Sequence, residues 1–259
     1  MAEGTRAPTA MREWGLVAAA ELERVVMVSP HLDDAVLGCA QLMVAHPGAT
    51  VVTVFAGAPV RYPDPMTHWD TVAGFAAGDD VLALRKEEDK AALAELDAVP
   101  AWLDFVEHQY LERDEWVQPD AIVGALESTL RSLRPTAVLA PFGLANPDHG
   151  CTHDAAMLVR ERYDGPAWFC YEDSGYKHIP GLLAWRIAQL FRSGVWPTPA
   201  APTIDPGQER KRQAIAQYAS QVRALEADWN LGPKLVAPAP EQYWRLAPPP
   251  QGWEGLSAV

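Results

Sequence analysis

The sequence contains few cysteines, and they are widely separated. Only three of the 259 residues are cysteine, Cys39, Cys151 and Cys170, and no two of them form a CxxC pair. This spacing argues against a disulfide framework and against a zinc site built from paired thiolates. Apolar runs are short as well, none approaching the ~20 residues that span a bilayer, and residues 1–20 lack the pattern of a signal peptide. We therefore expect a cytoplasmic protein with no membrane partner.

Basic residues are outnumbered by acidic ones. Lysine and arginine total 21, aspartate and glutamate total 34, and the net charge is −13. This balance argues against nucleic acid or an anionic membrane as a partner, and it leaves room for a small neutral or cationic ligand. The length and the 49% hydrophobic content predict a single globular domain over residues 1–259, with its core at about 24–230 and a proline-rich surface tail over 231–259.

Two short apolar runs flank a helical segment near the start of the chain. Residues 25–28 are a β-branched run, residues 35–45 have helical composition, and residues 50–55 form a second apolar run. A strand, a helix and a strand within about thirty residues indicate a βαβ unit. We expect an α/β fold, a Rossmann-like doubly wound and mostly parallel sheet with helices on both faces. No G-x-G-x-x-G follows the first strand, which argues against a dinucleotide-binding enzyme.

The rest of the chain alternates in the same way. A polar loop is expected over 57–80, and Asp120 is expected to cap a helix that ends at residue 133. The remaining predicted elements are a helix over 81–96, strands over 101–105, 136–140 and 167–171, a helix that begins near Thr152, and one continuous helix over 208–229.

Acidic residues and a histidine follow the first predicted strand. The segment Pro30-His31-Leu32-Asp33-Asp34 lies between that strand and its helix, at the sheet edge where open parallel sheets bind ligands. Because adjacent side chains diverge, one aspartate could bind a metal while the other faces a metal-bound water. The alternative is an aspartate N-cap with an exposed neighbour.

A second polar segment follows the strand predicted at 136–140. It reads Asn146-Pro147-Asp148-His149, and His153 follows four residues after His149. Together with His31 and Asp34, His149 completes two imidazoles and a carboxylate, a donor set that suits Zn²⁺ and leaves a position for water. By itself the segment could be a plain turn with an N-cap. His149 and His153 could both be ligands if they shared a helix, but Gly150 favours a later helix start.

Several motifs occur in the order of a known family. Residues 25–38, VVMVSPHLDDAVLG, resemble the opening of the PIG-L (LmbE-like) zinc N-deacetylases. Residues 85–89 resemble the family's Arg-x-x-Glu helix, and residues 141–153 resemble its second metal loop. Residues 171–176 resemble a YED-x-x-Tyr element, and Lys211 followed by residues 218–221 resembles a Lys…Tyr-x-Ser-Gln helix. The similarity extends from about residue 24 to residue 229.

The resemblance implies an LmbE-like fold and one Zn²⁺ per chain. It implies that His31, Asp34 and His149 are the zinc ligands and that Asp33 is the general base acting on zinc-bound water.

Further roles follow from the same resemblance. Arg85 is a candidate for binding substrate hydroxyls, although an i, i+3 pair with Glu88 on a solvated face is the alternative. Asp148 is expected to orient a ligand or the substrate. Tyr176 is expected to contact the substrate.

One position departs from the family pattern. Much of the family has His-x-Asp-His in the second loop, where this chain has Asn146 first. The family histidine is assigned to stabilising the oxyanion or protonating the leaving amine, and an asparagine cannot transfer a proton. We expect Asn146 to serve as a hydrogen-bond donor in catalysis. Asp33 would then act as base and acid, with His153 and Tyr176 as the alternative acids.

The predicted function is zinc-dependent removal of an N-acetyl or other N-acyl group. The expected partner is a small N-acylated sugar or glycosylated metabolite, and a homo-oligomer is possible because relatives in the family often assemble. One alternative is an amidase that cleaves a larger acyl group or a thiol-conjugate amide. Another is a zinc-bearing protein that binds glycans without turnover.

Overall fold

The computed structural model describes residue 15, residues 17–231, residue 235 and residues 241–249. Within them, one sheet has the strand order β3-β2-β1-β4-β5-β7-β6. The strands are β1 (Val25–Ser29), β2 (Thr50–Thr53), β3 (Val99–Trp102), β4 (Ala137–Pro141), β5 (Ala167–Tyr171), β6 (Trp196–Ala200) and β7 (Tyr243–Ala247). The α-helices are α1 (Asp34–Ala45), α2 (His68–Ala73), α3 (Val81–Glu95), α4 (Pro119–Leu133), α5 (Pro147–Arg160), α6 (Leu182–Arg192), α7 (Glu209–Gln217) and α8 (Ala219–Trp229). Short 3-10 turns cover Ala19–Leu22, His108–Tyr110, Arg113–Glu115 and Tyr176–His178.

Five neighbouring strands run parallel to one another. β1 pairs with β2 on one side and with β4 on the other, while β3 and β5 extend the sheet outward. The chain therefore builds one half of the sheet from β1 to β3 and then returns to build the other half from β4. In such sheets the ligand crevice lies at the carboxyl ends of the strands where the order reverses. Here that crevice follows β1 and β4, the strands that precede the two polar motifs.

Apolar side chains cover both faces of the sheet. Met27 belongs to one buried cluster and its neighbours Val26 and Val28 belong to another, because successive residues of a strand point to opposite faces. Helices α1, α3 and α7 contribute to the first cluster, and α4, α5 and α6 contribute to the second. The predicted doubly wound α/β fold is confirmed. Among the described residues, no helix is both long and apolar enough to cross a bilayer.

Part of the predicted surface tail is a strand within the sheet. Residues 232–234, 236–240 and 250–259 of the tail lie outside the described residues, but Tyr243–Ala247 forms β7, which pairs antiparallel with β5 and β6. Just before it, the buried Glu241 carboxylate accepts a hydrogen bond from Lys211 Nζ at 2.7 Å. The prediction that the core ends near residue 230 is wrong here, because flanking prolines obscure this short apolar run. The assignment of residues 1–259 to a single domain stays a prediction.

Other predictions of secondary structure are also wrong. The helix expected to start from an Asp120 cap begins at Pro119, because proline suits the first helical position. The loop expected over 57–80 contains helix α2. The helix expected over 208–229 is interrupted at Tyr218, whose hydroxyl lies 2.7 Å from Asp89 Oδ1 and 2.8 Å from the carbonyl oxygen of Leu32. These buried contacts stabilise the interruption of the helix at Tyr218.

Candidate active site

The loop after β1 presents three polar side chains at the crevice. Asp34 is the first residue of α1, and its Oδ2 accepts a hydrogen bond from the backbone N–H of His31 at 2.9 Å. The same oxygen lies 3.1 Å from Nδ1 of His31. Asp33 occupies the N-cap position, but its carboxylate makes no capping hydrogen bond. Because that carboxylate is not used for capping, the alternative reading of this motif as a simple cap does not hold.

The loop after β4 leads directly into α5. Asn146 caps the helix, and its side chain accepts a hydrogen bond from the backbone N–H of Asp148 at 2.8 Å. The helix therefore begins at Pro147, five residues before the predicted start at Thr152. This early start places His149 in the first turn, where its Nε2 lies 3.2 Å from Asp34 Oδ2.

The two loops thus bring His31, Asp34 and His149 together, and we call these residues the His-Asp-His cluster. One ligand atom from each lies within 4.8 Å of the others. His153 shares the helix with His149 but is not part of the cluster, because its Nδ1 lies 2.8 Å from the carbonyl oxygen of Pro141. Burial lowers the pKa of His153 to about 3, so this side chain is a neutral core group.

A carboxylate contacts each imidazole of the cluster at the ring nitrogen that does not face the cluster. Nε2 of His31 lies 3.0 Å from Asp148 Oδ2, and Nδ1 of His149 lies 2.5 Å from Asp173 Oδ1. Each ring therefore keeps its other nitrogen for the cluster, an arrangement typical of metal-ligating histidines. Although burial opposes the shift, the charge of His149 and hydrogen bonds from both imidazoles lower the pKa of Asp34. The donor set fits a divalent cation such as Zn²⁺.

Asp33 lies beside the cluster and lines the adjacent cavity. Burial raises the pKa of Asp33 to about 7, and the negative charge of Asp34 adds to the shift. The residue is 7% exposed, and none of its atoms belongs to the His-Asp-His cluster. A carboxyl group in such a position can accept and return a proton near neutral pH.

A cavity of about 270 Å³ opens beside the cluster. Its walls come from the β1–α1 loop, the start of α5, helices α2, α3 and α8, and the turn His108–Tyr110. Trp69 and Trp229 contribute indole rings to these walls. Apolar and aromatic surface next to a few polar groups is typical of small-molecule sites.

Arg85 lines this cavity, but it is not a freely solvated cation. It is 4% exposed, its Nη1 donates to Glu107 Oε1 at 2.6 Å, and its Nη2 donates to Gln221 Oε1 at 2.6 Å. The alternative pair with Glu88 is wrong, because Glu88 instead accepts hydrogen bonds from Ser220. The structure therefore places Arg85 where a substrate could reach it, within a fixed polar network.

The other predicted site residues fall into two groups. Asn146 and Tyr176 line the cavity, and the Tyr176 ring packs edge-on against His149 with centroids 5.1 Å apart. Burial raises the pKa of the Tyr176 hydroxyl, and a hydrogen bond from Asn146 acts in the opposite direction. Asp148 is 3% exposed and contacts His31 and His108. Asp148 therefore contacts the imidazole of His31, and its predicted role in orienting a ligand or the substrate stays a prediction.

Several site residues were not predicted as such. Asp173 and Gln221 lie within the YED-x-x-Tyr and Tyr-x-Ser-Gln elements, so the motifs themselves were the available signal. His108 and Glu107 follow β3 in a segment without a motif, and only the folded loop places them at the cavity. Trp229 is the last residue of helix α8, and the sequence around it contains no motif that predicts a binding residue.

Comparisons with known proteins agree with this architecture. The sequence model of the PIG-L family, described as GlcNAc-PI de-N-acetylase, matches residues 26–159. Comparison with curated proteins gives no match.

Solved structures include close matches to the fold. A triple mutant of a deacetylase from the teicoplanin biosynthetic pathway is 25% identical, with a TM-score of 0.72, covering 88% of this chain and 100% of its own. The A40926 pseudoaglycone deacetylase Dbv21 is 26% identical, with a TM-score of 0.71, covering 88% of this chain and 98% of its own. The N,N'-diacetylchitobiose deacetylase of Pyrococcus horikoshii is 17% identical and shares the fold, with a TM-score of 0.55. The match covers 87% of this chain and 84% of that protein.

The family match covers more than half of the chain, from the second residue of β1 to the last turn of α5, and includes both polar loops. On that basis, the chain belongs to the PIG-L family.

Proposed function

We propose that this protein is a zinc-dependent N-deacetylase that acts on an N-acylated amino sugar or a sugar-containing metabolite. The observation that carries the proposal is the meeting of His31, Asp34 and His149 at one edge of the sheet, with Asp33 beside them. The family match and the similarity to two glycopeptide-pathway deacetylases support the reaction class. A protein that only bound glycans would have no use for a buried carboxyl such as Asp33.

The His-Asp-His cluster would hold a single Zn²⁺. When bound there, the ion would polarise an acyl carbonyl and lower the pKa of a water molecule toward ~7. The chain's own contribution is to fix the ligands. Asp148 and Asp173 hold the two imidazoles, and the His31 N–H holds Asp34, so the cluster does not need to reorganise during turnover.

Asp33 is the general base of the proposed reaction. Its carboxylate takes a proton from the attacking water as that water adds to the acyl carbon. General base catalysis of this kind contributes a factor of ~10²–10⁴. Asp33 stands at the N-cap position without a capping hydrogen bond, so its carboxylate is not needed to cap the helix and can face the reacting water.

Asn146 is proposed to donate a hydrogen bond to the carbonyl oxygen as charge develops on it. Its side-chain oxygen already accepts the N–H of Asp148, and the amide also makes a hydrogen bond to Tyr176, so the orientation of the side chain is fixed. Loss of a single oxyanion donor typically costs ~3–4 kcal/mol of barrier lowering. Tyr176, packed against His149, is proposed to contact the acyl group or the sugar.

The rest of the cavity suits a sugar. Trp69 and Trp229 offer apolar ring surface, and Arg85 and Gln221, hydrogen-bonded to each other, add polar groups to the same cavity wall for sugar hydroxyls to contact. A volume of about 270 Å³ is near the lower end of the range for small-molecule pockets, which favours one sugar ring inside the cavity with any larger aglycone outside. Cytoplasmic location and a homo-oligomeric state stay predictions from the sequence.

The test is an assay of the zinc-reconstituted protein across a panel of N-acylated sugars. The panel contains N-acetylglucosamine, its methyl glycoside, N,N'-diacetylchitobiose, N-acetylated aminoglycosides and glycopeptides, together with longer N-acyl analogues. Freed amine and released acid are both quantified, and chelator-treated protein is the control. We expect metal-dependent release of equal amounts of amine and acetate. Binding of these sugars without release would contradict the proposal, and preference for long acyl groups would support the amidase alternative.

A further inference from the structure

Amide cleavage requires an acid as well as a base, because the amine leaves readily only when its nitrogen is protonated. The two alternative acids predicted from the sequence, His153 and Tyr176, are poorly suited to this step. His153 is directed at the carbonyl of Pro141, and burial raises the pKa of the Tyr176 hydroxyl, which makes it a weaker proton donor. Asn146 cannot transfer a proton.

His108 is an imidazole that lines the cavity from a different part of the chain. It lies in the turn after β3, and its Nδ1 is 2.8 Å from Asp148 Oδ2. Its backbone N–H also donates to the same carboxylate, at 3.2 Å from Oδ2. The Trp116 ring packs edge-on against the imidazole, with centroids 5.3 Å apart. The orientation of the ring is therefore fixed from two sides.

Asp148 links this ring to the metal cluster. One of its oxygens, Oδ2, contacts both Nε2 of His31 and Nδ1 of His108. Among the described residues no hydrogen-bond partner is found for Nε2 of His108, and the side chain is 26% exposed and lines the cavity. A histidine that a carboxylate fixes through Nδ1, with Nε2 left available to a molecule in the cavity, has the geometry of a general acid or base.

We propose that His108 is the general acid of the reaction, supplying from Nε2 the proton that the leaving nitrogen takes up. The proposal rests on the proposed function and replaces a second role for Asp33. Water oxygen bonds to the acyl carbon, the carbonyl π pair moves to oxygen, and Asp33 takes one water proton. The oxygen's electron pair then re-forms the C=O bond as the C–N bond breaks, the C–N pair stays on nitrogen, and that nitrogen takes the proton from His108. The products are the free amine and the carboxylic acid, and solvent carries the proton from Asp33 back to His108.

The first test is the substitution His108→Asn in the zinc-loaded protein. The asparagine amide can replace Nδ1 as the donor to Asp148, but it provides no group at the position of Nε2. We expect unchanged zinc content, a KM within about threefold, and a fall in kcat of about 100-fold or more on the best N-acetyl sugar of the panel. His108→Gln, measured alongside, must show the same loss. The matched control is His46→Asn, since His46 directly follows α1 and contacts the carbonyl of Thr203.

The second readout separates an acid from a structural support. p-Nitrophenyl acetate releases a weakly basic phenolate that leaves without protonation, so its hydrolysis needs the metal and Asp33 but no acid. We expect His108→Asn to keep most of this esterase activity while losing the amidase activity. Equal losses on both substrates, or amide turnover within tenfold of wild type, would overturn the role of His108. If wild-type protein hydrolyses the ester and no amide, the proposed function itself fails, and the role of His108 fails with it.

Discussion

Nδ1 of His149 lies 2.5 Å from Oδ1 of Asp173, while Nε2 of the same ring faces Asp34. The carboxylate comes from the segment after β5 and the imidazole from the first turn of α5, so two neighbouring strand ends fix one ring. Asp173 is 2% exposed, which removes the competition of water for this contact. The ring is therefore held with its Nε2 directed at the His-Asp-His cluster before any ligand arrives.

The first prediction concerns this support. Asp173→Ala leaves His149 in place but frees its ring to rotate and lowers its basicity. We expect zinc affinity to fall about 10–100-fold, with the fold retained. Isothermal titration of the metal-free protein measures the change, and Asp164→Ala, an exposed residue of the turn after α5, is the control. Unchanged affinity in the Asp173 variant would show that the contact does not support the metal site.

The second prediction separates base catalysis from metal binding. Asp33→Asn removes the proton acceptor and preserves the shape of the side chain. We expect full zinc occupancy and a fall in kcat of about 1,000-fold, because Asp33 is outside the cluster and acts on the water. Metal analysis and a single-substrate rate measurement suffice, with the exposed Asp114→Asn as control. If the variant kept a tenth of the wild-type rate, Asp33 would not be the base.

The third prediction concerns the aromatic wall of the cavity. Trp229 is 50% exposed, and its ring packs edge-on against Tyr176 with centroids 5.9 Å apart. Trp229→Ala should raise KM about fivefold with little change in kcat, since loss of about 1 kcal/mol of apolar contact affects bound substrate and transition state alike. Trp185 is 49% exposed and lies on α6 away from the cavity walls, so Trp185→Ala is the matched control. Equal KM values for the two variants would place sugar binding elsewhere.

The fourth prediction is a pH dependence of stability. Burial raises the pKa of Asp89 to about 6, although Tyr218 and Trp102 both contact its carboxylate. The folded state thus binds this proton more tightly than the unfolded chain, whose aspartates titrate near ~3.9. The resulting stabilisation is complete below that lower value and is lost as pH rises through about 6.

Urea unfolding of wild type and Asp89→Asn at several pH values between 4 and 7 measures this effect. The free energy of unfolding of wild type minus that of the variant should fall by about 2 kcal/mol across that range. Glu87→Gln, at an exposed position of the same helix, should give no such trend. Parallel curves for wild type and Asp89→Asn would contradict the raised pKa.

The cluster itself could be predicted because its signal is local. His31 and Asp34 follow one buried apolar run, His149 follows another, and parallel strands end at the same edge of a sheet. His153 shows the limit of this reasoning. The helix starts early enough to carry His149 and His153 together, but His153 Nδ1 contacts the carbonyl of Pro141 at the end of β4, and this tertiary contact turns the second ring away from the cluster.

Other parts of the site depend on contacts that no local pattern encodes. His108 contacts Asp148 across 40 residues of sequence, and Arg85 contacts Gln221 across 136 residues. Strand β7 escaped prediction for a related reason, because its place between β5 and β6 is set by pairing with strands far earlier in the chain. Where tertiary contacts determine which side chains or strands meet, residue type and spacing alone do not identify the contacting pair.

The most direct test of the account is anomalous diffraction at the zinc absorption edge from crystals of the zinc-loaded protein. One strong peak per chain is expected, bonded to Nδ1 of His31, a carboxylate oxygen of Asp34 and Nε2 of His149, with Asp33 beside the remaining position. A peak bound elsewhere, or none at these three side chains in a metal-replete crystal, would contradict the central claim.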